Sequence, residues 1–151
     1  MAKSRDARWI ARTSRRLIER GLPWSWVPRR VVRHIAHPDS AVLVAAYDGK
    51  PGGFAIMSFG ERTAHLNLLG VNPTCQRSGI GRRLVTWLEK SAVVAGTIVI
   101  GVEVRAGNFG ARSFYGRLGY RETGRVVGYY SGIEDAIRMT HDLRVDYRNT
   151  V

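Results

Sequence analysis

A chain of 151 residues, 44% of them hydrophobic, is long enough for one domain with its own core and too short for two, so residues 1–151 are read as a single domain. Its 24 Lys and Arg against 12 Asp and Glu give a formal net charge of +12, which favours anionic partners such as a phosphorylated cofactor, nucleic acid or an acidic protein surface. Cys75 is the only cysteine, so no intrachain disulfide forms. No signal-like or membrane-span run follows the basic opening, and no histidine stands in a metal-ligand pattern; a cytoplasmic, metal-free protein is expected.

Taken in chain order, Ser4 to Arg20 carries a partial apolar stripe of Trp9, Ile10, Leu17 and Ile18 among arginines and predicts a helix closed by Gly21. Pro28 opens a second short helix through Val31, Val32 and Ile35. The runs "AVLVAAY" and "FAIMSFG", joined by "DGKPGG", read as a hairpin, and "RTAHLNLLGV" as a third strand. After the loop "NPTCQRSG", a helix from Ile80 to Ala95 places Ile80, Leu84, Leu88 and Ala92 on one face, and "TIVIGVEV" follows as a buried strand. A short helix over Phe109 to Leu118 ends at Gly119, and "YRETGRVVGYY" and "DAIRMTHDL" close the series as strands. The fold class is α/β.

The loop "QRSGIGRR" is built to meet an anion, because glycines allow close backbone approach and amides opening a helix point at negative charge. It is not a P-loop: Arg82 and Arg83 follow Gly81 where Lys and Ser or Thr are required. A dinucleotide fingerprint is matched only in part, since Leu84 occupies the third small position, although Glu103 ends the next strand where a ribose-binding acid would. A plain glycine turn into a helix is the remaining alternative.

"VNPTCQRSGIGRRLV" resembles the Gln/Arg-x-x-Gly-x-Gly/Ala motif of the GNAT superfamily of acetyl-CoA-dependent N-acetyltransferases, with Gln76, Gly79 and Gly81 matching by position. A second stretch, "VEVRAGNFGARSFYGRLGYRETG", resembles the family's closing segment at Asn108, Ala111, Phe114, Tyr115, Leu118, Gly119 and Tyr120. With the strands before them, these cover about Ala41 to Leu143. "PWS" at Pro23, "EVRAGN" at Glu103 and "YYSGIEDAIRM" at Tyr129 are similar to the branch of ribosomal-protein alanine N-acetyltransferases. Two departures stand out: Asn67 lies one position early on its strand, and Gly70 stands where alanine is usual.

The resemblance implies a GNAT fold: one domain with a mixed, twisted sheet of six or seven strands flanked by helices. It implies direct acetyl transfer from acetyl-CoA, without a metal, to a primary amine. The favoured acceptor is a protein N-terminal α-amine, such as that of a ribosomal protein, and the alternative is a small-molecule amine. Nucleic acid is not the expected partner, because the arginines are dispersed along the chain and no RNP, KH or zinc-finger pattern occurs.

The same resemblance distributes roles. Backbone around Gln76, Arg77, Ser78, Gly79, Ile80, Gly81 and Arg82 would hold the pyrophosphate, and Asn108, Ala111 and Phe114 would flank the rest of the donor. A backbone amide among Leu69, Gly70 and Val71 would meet the oxyanion. Glu103 would be the base; strand alternation places it opposite Ile100, Val102 and Val104, and partial desolvation at the strand end would raise its pKa. The plain alternative is a rim carboxylate paired with Arg105 or another arginine. Tyr115 would give a proton to the leaving thiolate, with core packing beside Phe114 as its alternative, and an N-cap is the alternative role for Asn108. Trp24, Trp26, Tyr129 and Tyr130 are candidates for the acceptor side, against the ordinary reading of aromatics as packing.

Overall fold

The computed structural model describes residues 1–144; residues 145–151, also counted within the single domain, lie outside the described residues. A 3₁₀ turn over Ser4–Asp6 leads into helix α1 (Ala7–Leu17), and α2 (Pro28–Ala36) follows. Strands β1 (Ser40–Tyr47), β2 (Lys50–Phe59) and β3 (Thr63–Val71) come next, then α3 (Ile80–Val94), β4 (Val99–Arg105), α4 (Phe109–Arg117), β5 (Arg121–Tyr130) and β6 (Glu134–Asp142). The six strands form one mixed sheet in the order β1-β2-β3-β4-β6-β5, within the expected range of strand number.

Local chemistry explains most of the boundaries. Ala7, Ile10, Ala11 and Ser14 recur on one buried face of α1. This helix stops three residues short of the expected Arg20, where Ile18 and Glu19 both donate their N–H to Ser14 O and Gly21 turns at φ 78°. Pro28 takes the first position of α2, where its missing N–H costs nothing. The β1–β2 turn is tighter than "DGKPGG" implied. Tyr47 pairs with Lys50 across Asp48 and Gly49, both at positive φ as a two-residue hairpin turn demands.

The sheet separates two cores, and β2 feeds both. Ala55 and Met57 face α3, where they meet Ile80, Leu84 and Leu88; Phe54 and Ile56 face α1 and α2, where they meet Ile10, Ala11 and Val31. Fully burying a Val, Leu, Ile, Met or Phe side chain in these cores is worth roughly 1.5–3 kcal/mol relative to exposure.

Two irregularities in the sheet shape what lies above it. Ile56 pairs with Leu68 but Met57 with Leu66, so Asn67 is an extra residue bulged out of the β2–β3 ladder. The bulge switches parity: Leu66 faces the α3 core, whereas Leu68 faces the α1–α2 core. The second irregularity is a split. β3 and β4 pair in parallel from Thr63–Val99 only as far as Leu66–Val102, while β3 continues to Val71 and β4 to Arg105.

Gly70 is explained by what lies under it. A Cβ there would sit 2.5 Å from Cε1 of Phe54, a ring with no exposed surface. Gly70→Ala is therefore expected to destabilise the fold by about 1–3 kcal/mol through overpacking, read as a lower urea midpoint, and Phe54→Leu in the same chain should recover part of the loss.

Candidate active site

The glycine loop forms as its sequence requires. Arg77 (φ 68°) and Gly79 (φ 85°) are left-handed, and Gly79 is the N-cap of α3 without a side-chain cap. Arg83 N–H is the first to reach back within the helix, to Gly79 O at 3.0 Å; the amides of Ile80, Gly81 and Arg82 precede it and have no carbonyl four residues behind them inside the helix. Gly81 keeps this mouth open: a Cβ there would lie 3.3 Å from the Phe114 ring and 3.5 Å from Val71. Ser78 turns away, since its hydroxyl donates to Cys75 O.

Three clefts join into one trough across the sheet. The first, about 580 Å³, is lined by Gln76, Arg77, Gly79, Ile80, Gly81 and Arg82 together with Phe114. It shares Leu69, Val71, Gln76, Asn108 and Ala111 with a second, about 620 Å³, that occupies the β3–β4 split. Gly70, Glu103 and Tyr115 also line the second. The third, about 320 Å³, lies beyond the split under Pro23, Trp26, Tyr129 and Ser131, and meets the second at Ile18, Asn67, Leu68, Glu103 and Tyr130. Glu103 thus stands where the second and third clefts meet.

The carboxylate of Glu103 is held at both oxygens. Oε2 bonds His65 Nε2, and Oε1 accepts from Arg138 Nε at 3.2 Å. His65 Nδ1 meets Asn67 Oδ1 at 2.6 Å, and Asn67 Nδ2 donates to Ser58 Oγ at 2.6 Å. A polar chain Ser58–Asn67–His65–Glu103–Arg138 therefore crosses β2, β3, β4 and β6, and its middle members Asn67, His65 and Glu103 line the trough. The expected rise in the Glu103 pKa is not found. The hydrogen bond from His65, aided by its charge and by Arg138, outweighs desolvation and holds the carboxyl below its ordinary value. In return, the bond to Glu103 raises His65 against the opposing effect of burial. Arg105, the partner first considered for Glu103, instead bonds Glu134 at 2.7 Å and the carbonyls of Ile18 and Arg20, tying β4 to the segment after α1.

Tyr115 lies in the α3-side core at 6% exposure, edge-on to Phe114 and Tyr120, yet it lines the split. Burial pushes its phenol well above the ordinary tyrosine value. Asn108 caps α4, its Oδ1 accepting from Ala111 N–H at 3.1 Å. Tyr130 donates its hydroxyl to the Glu103 carbonyl at 3.1 Å, and Tyr129 stands half-exposed at the edge of the third cleft. Trp24 is placed elsewhere. Its indole N–H donates to Ala11 O at 3.2 Å and its ring lies under Arg15, so Trp26, two residues on, takes the lining position. Buried Glu19 fixes this wall by accepting from Ser14, from both donors of Ser25 and from the Trp26 N–H.

His65 was missed by the motifs. The only sequence signal was its alternation with Asn67 on β3; the parallel register sets His65 opposite Gly101, two residues before Glu103, and is visible only in the fold. Among the described residues no group of three His, Cys, Asp or Glu could hold a metal, and no helix is long and apolar enough to cross a membrane.

Comparison with known proteins agrees with this geometry. Residues 9–120 match the Acetyltransferase (GNAT) family. The chain is 38% identical over 97 residues to an uncharacterised N-acetyltransferase of Methanocaldococcus jannaschii, covering 64% of this chain and 62% of that protein. It is 37% identical over 95 residues to the [ribosomal protein bS18]-alanine N-acetyltransferase of Escherichia coli K12, covering 61% and 64% respectively. The matched stretch thus spans less than two thirds of the length of either relative. The crystal structure of the E. coli ribosomal-protein-S18-alanine N-acetyltransferase superposes with a TM-score of 0.81 at 28% identity, covering 94% of this chain and 90% of that one. The chain belongs to the acetyltransferase (GNAT) family.

Proposed function

We propose that the protein transfers acetyl from acetyl-CoA to a protein N-terminal α-amine, such as that of a ribosomal protein. The observation that carries this reading is the continuous trough: an anion-receptive helix start at one end, a split sheet in the middle and an aromatic-edged cleft at the other, with Glu103 at the crossing. The donor fits the residues present. Free amides at the start of α3 and the side-chain-less face of Gly81 suit a pyrophosphate, and the edge of β3 left unpaired beyond Leu66 offers backbone amides among Leu69, Gly70 and Val71 to a developing oxyanion. Acetyl-CoA supplies an activated thioester.

The chain's own groups do the rest. Glu103 and His65 act as one proton-accepting unit for the incoming ammonium, and Asn67 orients His65. Tyr115 holds the proton for the departing thiolate. An α-ammonium, with a pKa near 8 against about 10.4 for lysine, is the easier acceptor to deprotonate for a unit of this strength. The E. coli relative is named as a ribosomal-protein alanine N-acetyltransferase, which supports a protein acceptor.

Mass spectrometry after incubation with acetyl-CoA tests the acceptor, using peptides with free N-termini, N-blocked lysine peptides and small amines. Acetylation confined to free N-termini is expected. Modification of small amines alone would sink the protein-acceptor reading while keeping the donor chemistry.

A further inference from the structure

We propose that the outer face of α1 and α2 binds the phosphate backbone of a structured RNA. The arginines that look scattered in sequence are gathered by the fold. Residues 1–39 hold ten Lys and Arg against three Asp and Glu. Two of those acids are already engaged: Glu19 is buried in its hydrogen-bond cluster, and Asp6 accepts from Lys3 N–H at 2.8 Å. The two helices pack against one face of the sheet through Ala7, Ile10, Ala11 and Val31, which turns Arg8, Arg12, Arg15 and Arg16 of α1 and Arg29 and Arg33 of α2 out to solvent in a single layer.

Outside this layer the arginines are of two kinds: Arg62, Arg117 and Arg121 are exposed without a carboxylate partner among the described residues, and others are neutralised. Arg105, Arg112, Arg125, Arg138 and Arg144 each bond a carboxylate at 2.7–3.2 Å. Among the described residues, no arginine of α1 or α2 has a carboxylate partner. An unneutralised sheet of guanidinium groups is self-repelling in the free protein, and a dense polyanion relieves that repulsion. The groups are arginines throughout both helices, whose planar forks match phosphate oxygens in pairs.

The alternatives fit less well. A membrane surface would need apolar side chains facing out, but those of α1 are spent in the core. Acidic protein surfaces intersperse their charge, whereas a nucleic-acid strand carries it at short regular intervals along a length comparable to both helices. Choosing RNA over DNA rests on the acceptor reading above, because a ribosomal protein is met together with RNA. Arg30 of α2 lines the third cleft and stacks over Trp26 at 3.8 Å, so an RNA on this face would lie beside that cleft.

The test is fluorescence anisotropy of a labelled RNA hairpin with the full chain, without acetyl-CoA or acceptor, across a salt series. The variant Arg8→Gln/Arg12→Gln/Arg16→Gln is compared with a charge-matched control, Lys50→Gln/Arg62→Gln/Lys90→Gln, at exposed positions off this face. At about 150 mM salt the first variant is expected to lose at least about tenfold in affinity, with a salt slope shallower by about 2, and the control to change by less than about threefold. Unchanged acetyl-CoA affinity shows that the variant is folded. Equal losses in both variants would reduce the effect to net charge and overturn the site. Binding of duplex DNA, a polyglutamate peptide or phosphatidylserine vesicles as tight as that of the hairpin would overturn the RNA assignment. Because the assay contains no acetyl donor, a failed acetylation panel and a failed RNA titration remain separate results.

Discussion

Tyr115→Phe is expected to lower kcat by about 10²–10⁴-fold while leaving acetyl-CoA affinity within about twofold. The substitution removes one hydroxyl and keeps the ring, so the edge-on contacts with Phe114 at 5.1 Å and Tyr120 at 5.4 Å survive. Stability should therefore change by no more than about 1 kcal/mol. The size of the kinetic effect follows from where the phenol sits. Burial, with Tyr130 adding a like-signed push, keeps it protonated throughout the working pH range, and it lines the split in which a thiolate would depart. A protonated phenol beside a leaving thiolate is a proton donor; the same ring without its hydroxyl is only packing. Steady-state kinetics with calorimetric acetyl-CoA titration separates the two. Unchanged kcat with lowered stability would return Tyr115 to the core as a packing residue.

How much of this could be read beforehand depends on how local each feature is. The loop from Gln76 to Gly81 was legible because glycine's freedom and a helix start are properties of adjacent residues, and positive φ at Gly79 follows from them. The position of Glu103 on its strand was legible for the same reason: period-two alternation places Ile100, Val102 and Val104 on the buried face. Its protonation behaviour was not. Desolvation can be guessed from an apolar strand, but the bonds from His65, 38 residues earlier, and Arg138, 35 later, arise from neighbouring strands and reverse the direction of the shift. The displaced Asn67 looked like a departure from pattern. The β2–β3 register shows it to be the bulged residue, which the strand's own sequence cannot reveal without its partner. Trp24 and Trp26 were equivalent as aromatics in one loop, and only the Glu19 carboxylate, by pinning Ser25 and Trp26, decides which lines the cleft. The arginines of α1 and α2 were legible as exposed from the apolar stripes of those helices, but that both helices pack on one core, through Ile10 and Val31, is a tertiary fact.

The second large effect is in the pH dependence of kcat, whose acid limb is expected above the ordinary histidine value of about 6.5 and not in the carboxylate range. Glu103 is already ionised at neutral pH because its pKa is lowered, so a carboxylate alone would give no limb there. The group that still carries a proton is His65, raised by its bond to Glu103, and the pair accepts the acceptor's proton once that proton has left. Glu103→Gln removes the charge that raises His65. Its acid limb should move down toward about 6.5 while kcat falls by about 10²-fold or more. His65→Gln should abolish the limb and lower kcat by a similar order. The same shifts fix the signs for stability. His65, with its folded pKa raised, contributes stability fully present below its unfolded value and lost as pH rises through the folded one. Glu103, with its folded pKa depressed, contributes stability present above its unfolded value and lost as pH falls through the folded one. The pair therefore supports the fold between those two limits, and His65→Gln should flatten the urea midpoint against pH on the alkaline side. A wild-type limb in the carboxylate range that His65→Gln leaves in place would assign the proton transfer to Glu103 alone and reduce His65 to a structural bond.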